Sequence, residues 1–182
     1  NSDEDAGAQA RIARSMIEHG VAALVISPAF GEGGGTFDLL SRAAVPTLQV
    51  LRQGDPRTDL FPFASFDYID GGRQATRHLL DQGARRIAFV GGFEGRPITA
   101  ERRSGYLEVL ESHGIEPLVI AGASSRGWGL NVAAPRIVAD PSIDAVLAFN
   151  DLVMLGLMAG LARAGRMPGR DVRLVGFDDI EE

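Results

Sequence analysis

Short, uninterrupted apolar runs recur along the chain, and helical patterns separate them. The runs are AALVIS at 22–27, PTLQVLR at 46–52, FASF at 63–66, and then 86–90, 118–121, 144–149 and 172–176. Helical patterns fall at 9–19, where Ile12, Met16 and Ile17 share a face, and at 37–44, 72–82, 99–113, 130–139 and 151–164. A strand that is apolar throughout, rather than alternating, is buried on both faces. Strands joined through helices of about ten or more residues run parallel. The pattern therefore predicts an α/β protein of doubly wound parallel sheets. No sequence repeat interrupts it, and GEGGG at 31–35 reads as a flexible loop.

In open parallel sheets, ligands bind where strands end and loops lead into helices. The residues to weigh are thus Ser27 to Phe30, Asp67-Tyr68, Gly91 to Arg96, Asn150-Asp151 and Phe177-Asp178-Asp179. They offer carboxylate, carboxamide, guanidinium and aromatic groups, which suits a polar, hydroxyl-rich small molecule.

Composition removes other chemistries. There is no cysteine, so no thiolate nucleophile, disulfide or cysteine-ligated metal. All 18 basic residues are arginine. Without lysine there is no P-loop, no Schiff base and no serine–lysine pair. An arginine-biased genome explains that count as well as a need for forked hydrogen bonding does. A net charge of −6 argues against this stretch wrapping nucleic acid. No apolar run reaches the ~20 residues of a membrane helix.

The turn in IAFVGGFEGRPITAERRSGY, 87–106, invites a dinucleotide reading, but G-x-G-x-x-G would need glycine where Val90 stands. No acidic residue ends the next strand, as ribose binding about twenty residues on would require. The turn either connects strand to helix or presents Arg96 and Arg102 to a ligand. His19 and His113 precede glycines at helix ends, where imidazole complements the helix dipole; with His78 they share no metal-ligand spacing. G-x-S-x-G is absent. Nothing calls for a cofactor, a metal or catalysis.

In order and spacing, several segments resemble the effector-binding core of LacI-type transcriptional regulators, of the periplasmic-binding-protein type I fold. GVAALVISP at 20–28 is similar to a strand entering the ligand cleft. DYIDG at 67–71, with Ala75 and His78-Leu79, resembles D-N-x-x-G…A-x-x-H-L. GARRIAFVGG at 83–92 resembles the start of the second lobe, Arg102 with Gly105-Tyr106 the R-x-x-G-Y helix, and 149–180 the FND…GFDDI segment.

The resemblance implies two lobes, 1–84 and 85–182, with a ligand between them and no catalysis. It assigns ligand contacts to Arg102, Asp178, Asn150, Asp67, Arg96 and Ser27, and more weakly to Phe30, Ser124 and Trp128. A guanidinium offers forked donors to vicinal hydroxyls, while Asp178 and Asn150 accept hydroxyl protons. Asp151 is expected to cap the following helix. Two departures stand out. Tyr68 replaces asparagine after Asp67, and Ser124 stands where the family commonly stacks an aromatic. Either Trp128 supplies that face in another register or the platform is absent.

The resemblance also implies a sugar effector, a cytoplasmic homodimer, and operator DNA bound through a helix-turn-helix headpiece outside this sequence. The first lobe would then lack two strands and the second its return segment. A periplasmic sugar-binding protein of a transporter shares the fold and is the alternative; an enzyme on a doubly wound sheet is the more distant one.

Overall fold

The computed structural model describes residues 2, 4–31 and 35–181. Residues 32–34, at the heart of the expected GEGGG loop, lie outside that set. The chain divides into two compact units, residues 1–66 and 67–182.

The first unit opens with α1 (Ala6–Glu18), capped by Asp5, whose side chain accepts the Ala8 N–H. It continues through β1 (Leu24–Ile26), α2 (Thr36–Arg42), β2 (Thr47–Val50) and the two-residue β3 (Phe63–Ala64). The strands form a parallel sheet in the order β1-β2-β3. Its small core gathers Ala13, Phe37, Leu40 and Phe61, with the Phe37 and Phe61 rings edge to face at 5.1 Å.

Gln49, in the middle of β2, is fully buried, and both ends of its carboxamide are satisfied. Its Nε2 donates to Asp55 O and Phe61 O, and its Oε1 accepts from Gly54 N and Asp55 N, at 2.7–2.9 Å. One side chain thereby folds the 51–61 loop back on its own strand.

The second unit contains α3 (Tyr68–Asp81), β4 (Ile87–Val90), α4 (Pro97–Ser112), β5 (Leu118–Ile120), the short α5 (Arg126–Trp128), α6 (Ala134–Ala139), β6 (Ala145–Ala148), α7 (Asp151–Arg163) and β7 (Arg173–Val175). A π-helical turn, Gly129–Ala133, joins α5 to α6. The strands form a parallel sheet in the order β5-β4-β6-β7. This is the doubly wound architecture predicted from the apolar runs.

Central strands β4 and β6 are buried along their whole length, and their side chains divide between two cores. Ile87, Phe89, Ala145 and Leu147 join Leu79 of α3 with Tyr106 and Leu110 of α4. Ala88, Val90, Val146 and Ala148 join Ile137 of α6 with Val153, Leu157 and Leu161 of α7. Each fully buried large side chain contributes roughly 1.5–3 kcal/mol.

Helix α3, which the sequence reading groups with the first lobe, packs on α4 inside the second unit. The two backbones meet at glycines: a Cβ on Gly72 would lie 2.2 Å from Arg102 O, and one on Gly105 would lie 2.0 Å from Ile69 O. No side chain fits at either crossing position. This contact sets the first residue of α3 beside the middle of α4. Tyr106, the next residue, is fully buried. Its hydroxyl accepts from Leu118 N and lies within hydrogen-bonding distance of Ile87 O and Leu118 O, tying edge strand β5 to β4. Burial pushes the Tyr106 phenol above its ordinary pKa, against the opposing backbone hydrogen bond at Leu118.

Candidate functional site

Arg102 lies in the second turn of α4 and is only 6% exposed. Its guanidinium carbon stands 4.3 Å from the Phe177 ring centroid, 4.9 Å from Phe149 and 5.0 Å from Tyr68. Three aromatic faces around one cation supply favourable electrostatics where water is largely excluded. NH1 donates to Phe149 O, and NH2 donates to Asp178 Oδ1 at 2.9 Å. Nε is buried with no hydrogen-bond acceptor among the described residues. Each wall has its own element: Tyr68 opens α3, while Phe149 and Phe177 follow β6 and β7. The tyrosine that departs from the D-N-x-x-G pattern is thus the third wall of the cage.

Asp178 is the exposed half of this ion pair, with 42% of its side chain accessible against 7% for Arg102. Its φ is +104°, and that of Asp179 is +53°. Both are left-handed conformations that a non-glycine residue adopts at a cost. Phe177, Asp178 and Asp179 also border an open cavity of about 540 Å³ on the α7 side, walled by Asp151, Met154 and Met158 and not by Arg102.

The other candidate residues of the second unit stand at the starts of its helices or in the loops between strand and helix. Asn150, buried at 8% exposure, is the N-cap of α7. Its Oδ1 accepts Val153 N at 3.0 Å, and its Nδ2 points to Ser124 O at 3.4 Å. The expectation that Asp151 caps this helix is therefore corrected: Asp151 turns to the loop after β7, where its Oδ2 accepts Ile180 N at 3.1 Å.

Asp67 is the N-cap of α3, its Oδ1 accepting Asp70 N at 2.8 Å. Arg96 is the N-cap residue of α4 and makes no side-chain cap bond. Trp128 packs over the backbone at Gly122, where a Cβ would lie 2.1 Å from its ring, and against the core beneath α6 and α7. His19 and His113 end α1 and α4 as C-caps, each with Nδ1 near the carbonyl four residues back.

In the first unit the carboxyl ends of β1 and β2 carry a separate cluster. Arg52 stacks 4.0 Å over the Phe30 ring. It donates to Glu4 through both terminal nitrogens, at 2.7 and 2.8 Å, and NH2 lies 3.4 Å from Ser27 Oγ. Gln9 of α1 fixes the loop carrying Ser27 and Phe30, donating to Ser27 O and accepting from Ala29 N. Arg52 is absent from the sequence-derived candidates. The carboxyl-end rule, applied to the loop after β2 as to the others, finds it.

Both units thus present arginine, carboxylate and aromatic faces at the carboxyl ends of parallel strands, the chemistry of a small-molecule binding domain. The family model for periplasmic binding proteins and the sugar binding domain of the LacI family matches residues 1–181, and the chain belongs to that family. The HTH-type transcriptional regulator CelR of Thermobifida fusca is 37% identical over 146 residues, covering 78% of this chain and 42% of its own. Among solved structures, a complex of the transcriptional regulator CelR with cellobiose is similar, with a TM-score of 0.79 and 30% identity over 94% of this chain and 53% of its own. The periplasmic binding component of the arabinose transporter from Shewanella sp. ANA-3, bound to L-arabinofuranose, has a TM-score of 0.86 and 26% identity over 98% of this chain and 62% of its own. The chain spans between 42% and 62% of the length of these proteins. Among the described residues, no helix is long and apolar enough to cross a membrane.

Proposed function

We propose that this chain is the effector-binding part of a LacI-type transcriptional regulator and that its effector is a sugar. Arg102 and Asp178 are the principal contacts. The observation that carries the reading is their pairing. A buried guanidinium lies among three rings, and its carboxylate partner stays accessible on a strained loop. Such a pair presents donor and acceptor side by side, matching adjacent hydroxyls. Asn150, Asp67 and Arg96, with Ser124 and Trp128, line the approach to this pair. In the first unit Ser27, Phe30 and Arg52 form a polar and aromatic cluster of the same chemistry.

The protein senses and does not catalyse. It works in the cytoplasm as a homodimer, and effector binding shifts the affinity of a helix-turn-helix headpiece for operator DNA, as a coupling free energy between two sites. The likeness to an arabinose-binding transporter component supports the alternative, a periplasmic sugar carrier. A headpiece or a signal peptide in the full-length sequence separates the two.

A thermal-shift measurement of the intact protein against D-cellobiose, L-arabinose and D-ribose tests the reading. A sugar at a hundred times its Kd adds about 2.7 kcal/mol to the folded state, which raises Tm clearly. Arg102→Lys keeps the charge and loses the planar fork, and is expected to weaken binding roughly tenfold or more. No Tm rise with any sugar of a wider panel, or Arg102→Lys binding as tightly as wild type, would sink this assignment.

A further inference from the structure

Two residues at the start of α7 have different jobs. Asn150 caps the helix, which leaves the Asp151 carboxylate for something else. Asp151 is 8% exposed and faces the segment that follows β7. Its backbone N–H donates to Phe177 O at 2.8 Å, and its Oδ2 accepts Ile180 N at 3.1 Å. These two bonds bracket Asp178 and Asp179, the pair with φ of +104° and +53°. Conformations of that kind persist only where the surroundings over-determine them. The carboxylate also sits so close to Gly176 that a Cβ there would lie 2.1 Å from Asp151 Oδ1.

We infer that Asp151 is a positioning residue for effector binding: it holds the 177–180 loop in the strained form that points the Asp178 carboxylate at Arg102. Gly176 is glycine because the Asp151 carboxylate occupies the space of its side chain. The inference rests on the reading of Asp178 as a ligand contact. A carboxylate in the first turn of a helix also complements the helix dipole, and the two roles ask for different chemistry. The dipole needs the charge. The loop needs an acceptor at one place, which an amide oxygen supplies equally well.

The test compares Asp151→Asn, Asp151→Ala, Gly176→Ala and the Asp151→Ala/Gly176→Ala double variant in the intact protein. The first readout, amide hydrogen exchange at Ile180, needs no ligand. Asp151→Ala is expected to speed it tenfold or more, while the amides of β4 and β6 exchange as in wild type. Asp151→Asn restores protection. Gly176→Ala behaves like Asp151→Ala, and in the double variant the two effects do not add, because both break one contact. The second readout is the affinity for whichever of D-cellobiose, L-arabinose or D-ribose stabilises the wild type. It falls at least tenfold in Asp151→Ala and Gly176→Ala, and is kept in Asp151→Asn.

Wild-type exchange at Ile180 in Asp151→Ala overturns the inference, as does Asn behaving like Ala, or a loosened loop that still binds sugar at wild-type strength. If the wild type binds no sugar of the wider panel, the sugar reading fails on its own. The exchange comparison then still decides whether Asp151 holds the loop.

Discussion

The two sheets of this protein read alike in sequence and are built differently. In the second unit β4 and β6 are central strands, covered on both faces and buried throughout. In the first unit, over the described residues, β1 ends the sheet with Val25 in its middle 70% exposed, and β3 is exposed in both residues. LVI at 24–26 and IAFV at 87–90 are equally apolar, so burial here depends on place in the sheet rather than on the strand's own residues. The consequence is a different source of cohesion. The second unit rests on two hydrophobic cores. The first has one small core and leans on polar hubs: Gln49 for the 51–61 loop, Gln9 for the 27–29 loop and Arg52 for Glu4.

The contrast is broken most directly by truncating apolar side chains on matching strands. Leu147→Ala opens a cavity in the second unit and should cost about 2–5 kcal/mol, whereas Val25→Ala should stay within about 0.5 kcal/mol. Urea unfolding of the two variants of this 182-residue chain measures both, and similar losses would show that its sheets are not differently built.

A second substitution asks whether the polar hub of the first unit carries weight. Gln49→Leu fills the space but strands four backbone groups that the carboxamide now serves. A loss on the order of 3 kcal/mol is expected, since unsatisfied buried groups cost about 1–3 kcal/mol each and some find other partners. A neutral outcome would mean the loop holds itself.

The smallest effect is one of pH. Hydrogen bonds from the Arg57 guanidinium hold the Asp55 carboxyl below its ordinary pKa, against the opposing effect of burial. A carboxylate depressed in the folded state stabilises above its unfolded pKa, about 3.9, and that stabilisation is lost as pH falls through the lower folded value. The first unit should therefore lose stability below about pH 4, and Asp55→Asn should flatten that limb. Arg57 is 41% exposed, so water screens the pair and the effect is modest. An acid limb unchanged in Asp55→Asn would assign it to other groups.

Every strand, and every helix but the short α5 and the π-helical turn that follows it, was legible as a pattern, because apolar runs and helical spacing are local properties. What the pattern misjudged depends on partners distant in sequence. Helix α3 begins at Tyr68, not Gly72. Asp67 caps it, and the glycines inside it are used where α3 meets α4. Tyr68 stood out as a departure, but its place over Arg102 requires that crossing. Asp178 and Arg102 were found by motif, and their pairing is a fact of the fold. Gln49 gave no signal, since a lone polar residue in a strand does not say whether a later loop will meet it.

Trp128, packed over Gly122, is the single tryptophan of the chain, and both tyrosines, Tyr68 and Tyr106, share its unit. The first unit contains neither residue type. Indole fluorescence is therefore an optical channel for one unit alone, while far-ultraviolet circular dichroism records both. A transition present in the dichroism trace and absent from the fluorescence trace is the expected signature of residues 1–66, so the molecule carries its own means of timing the loss of one half against the other without an added label.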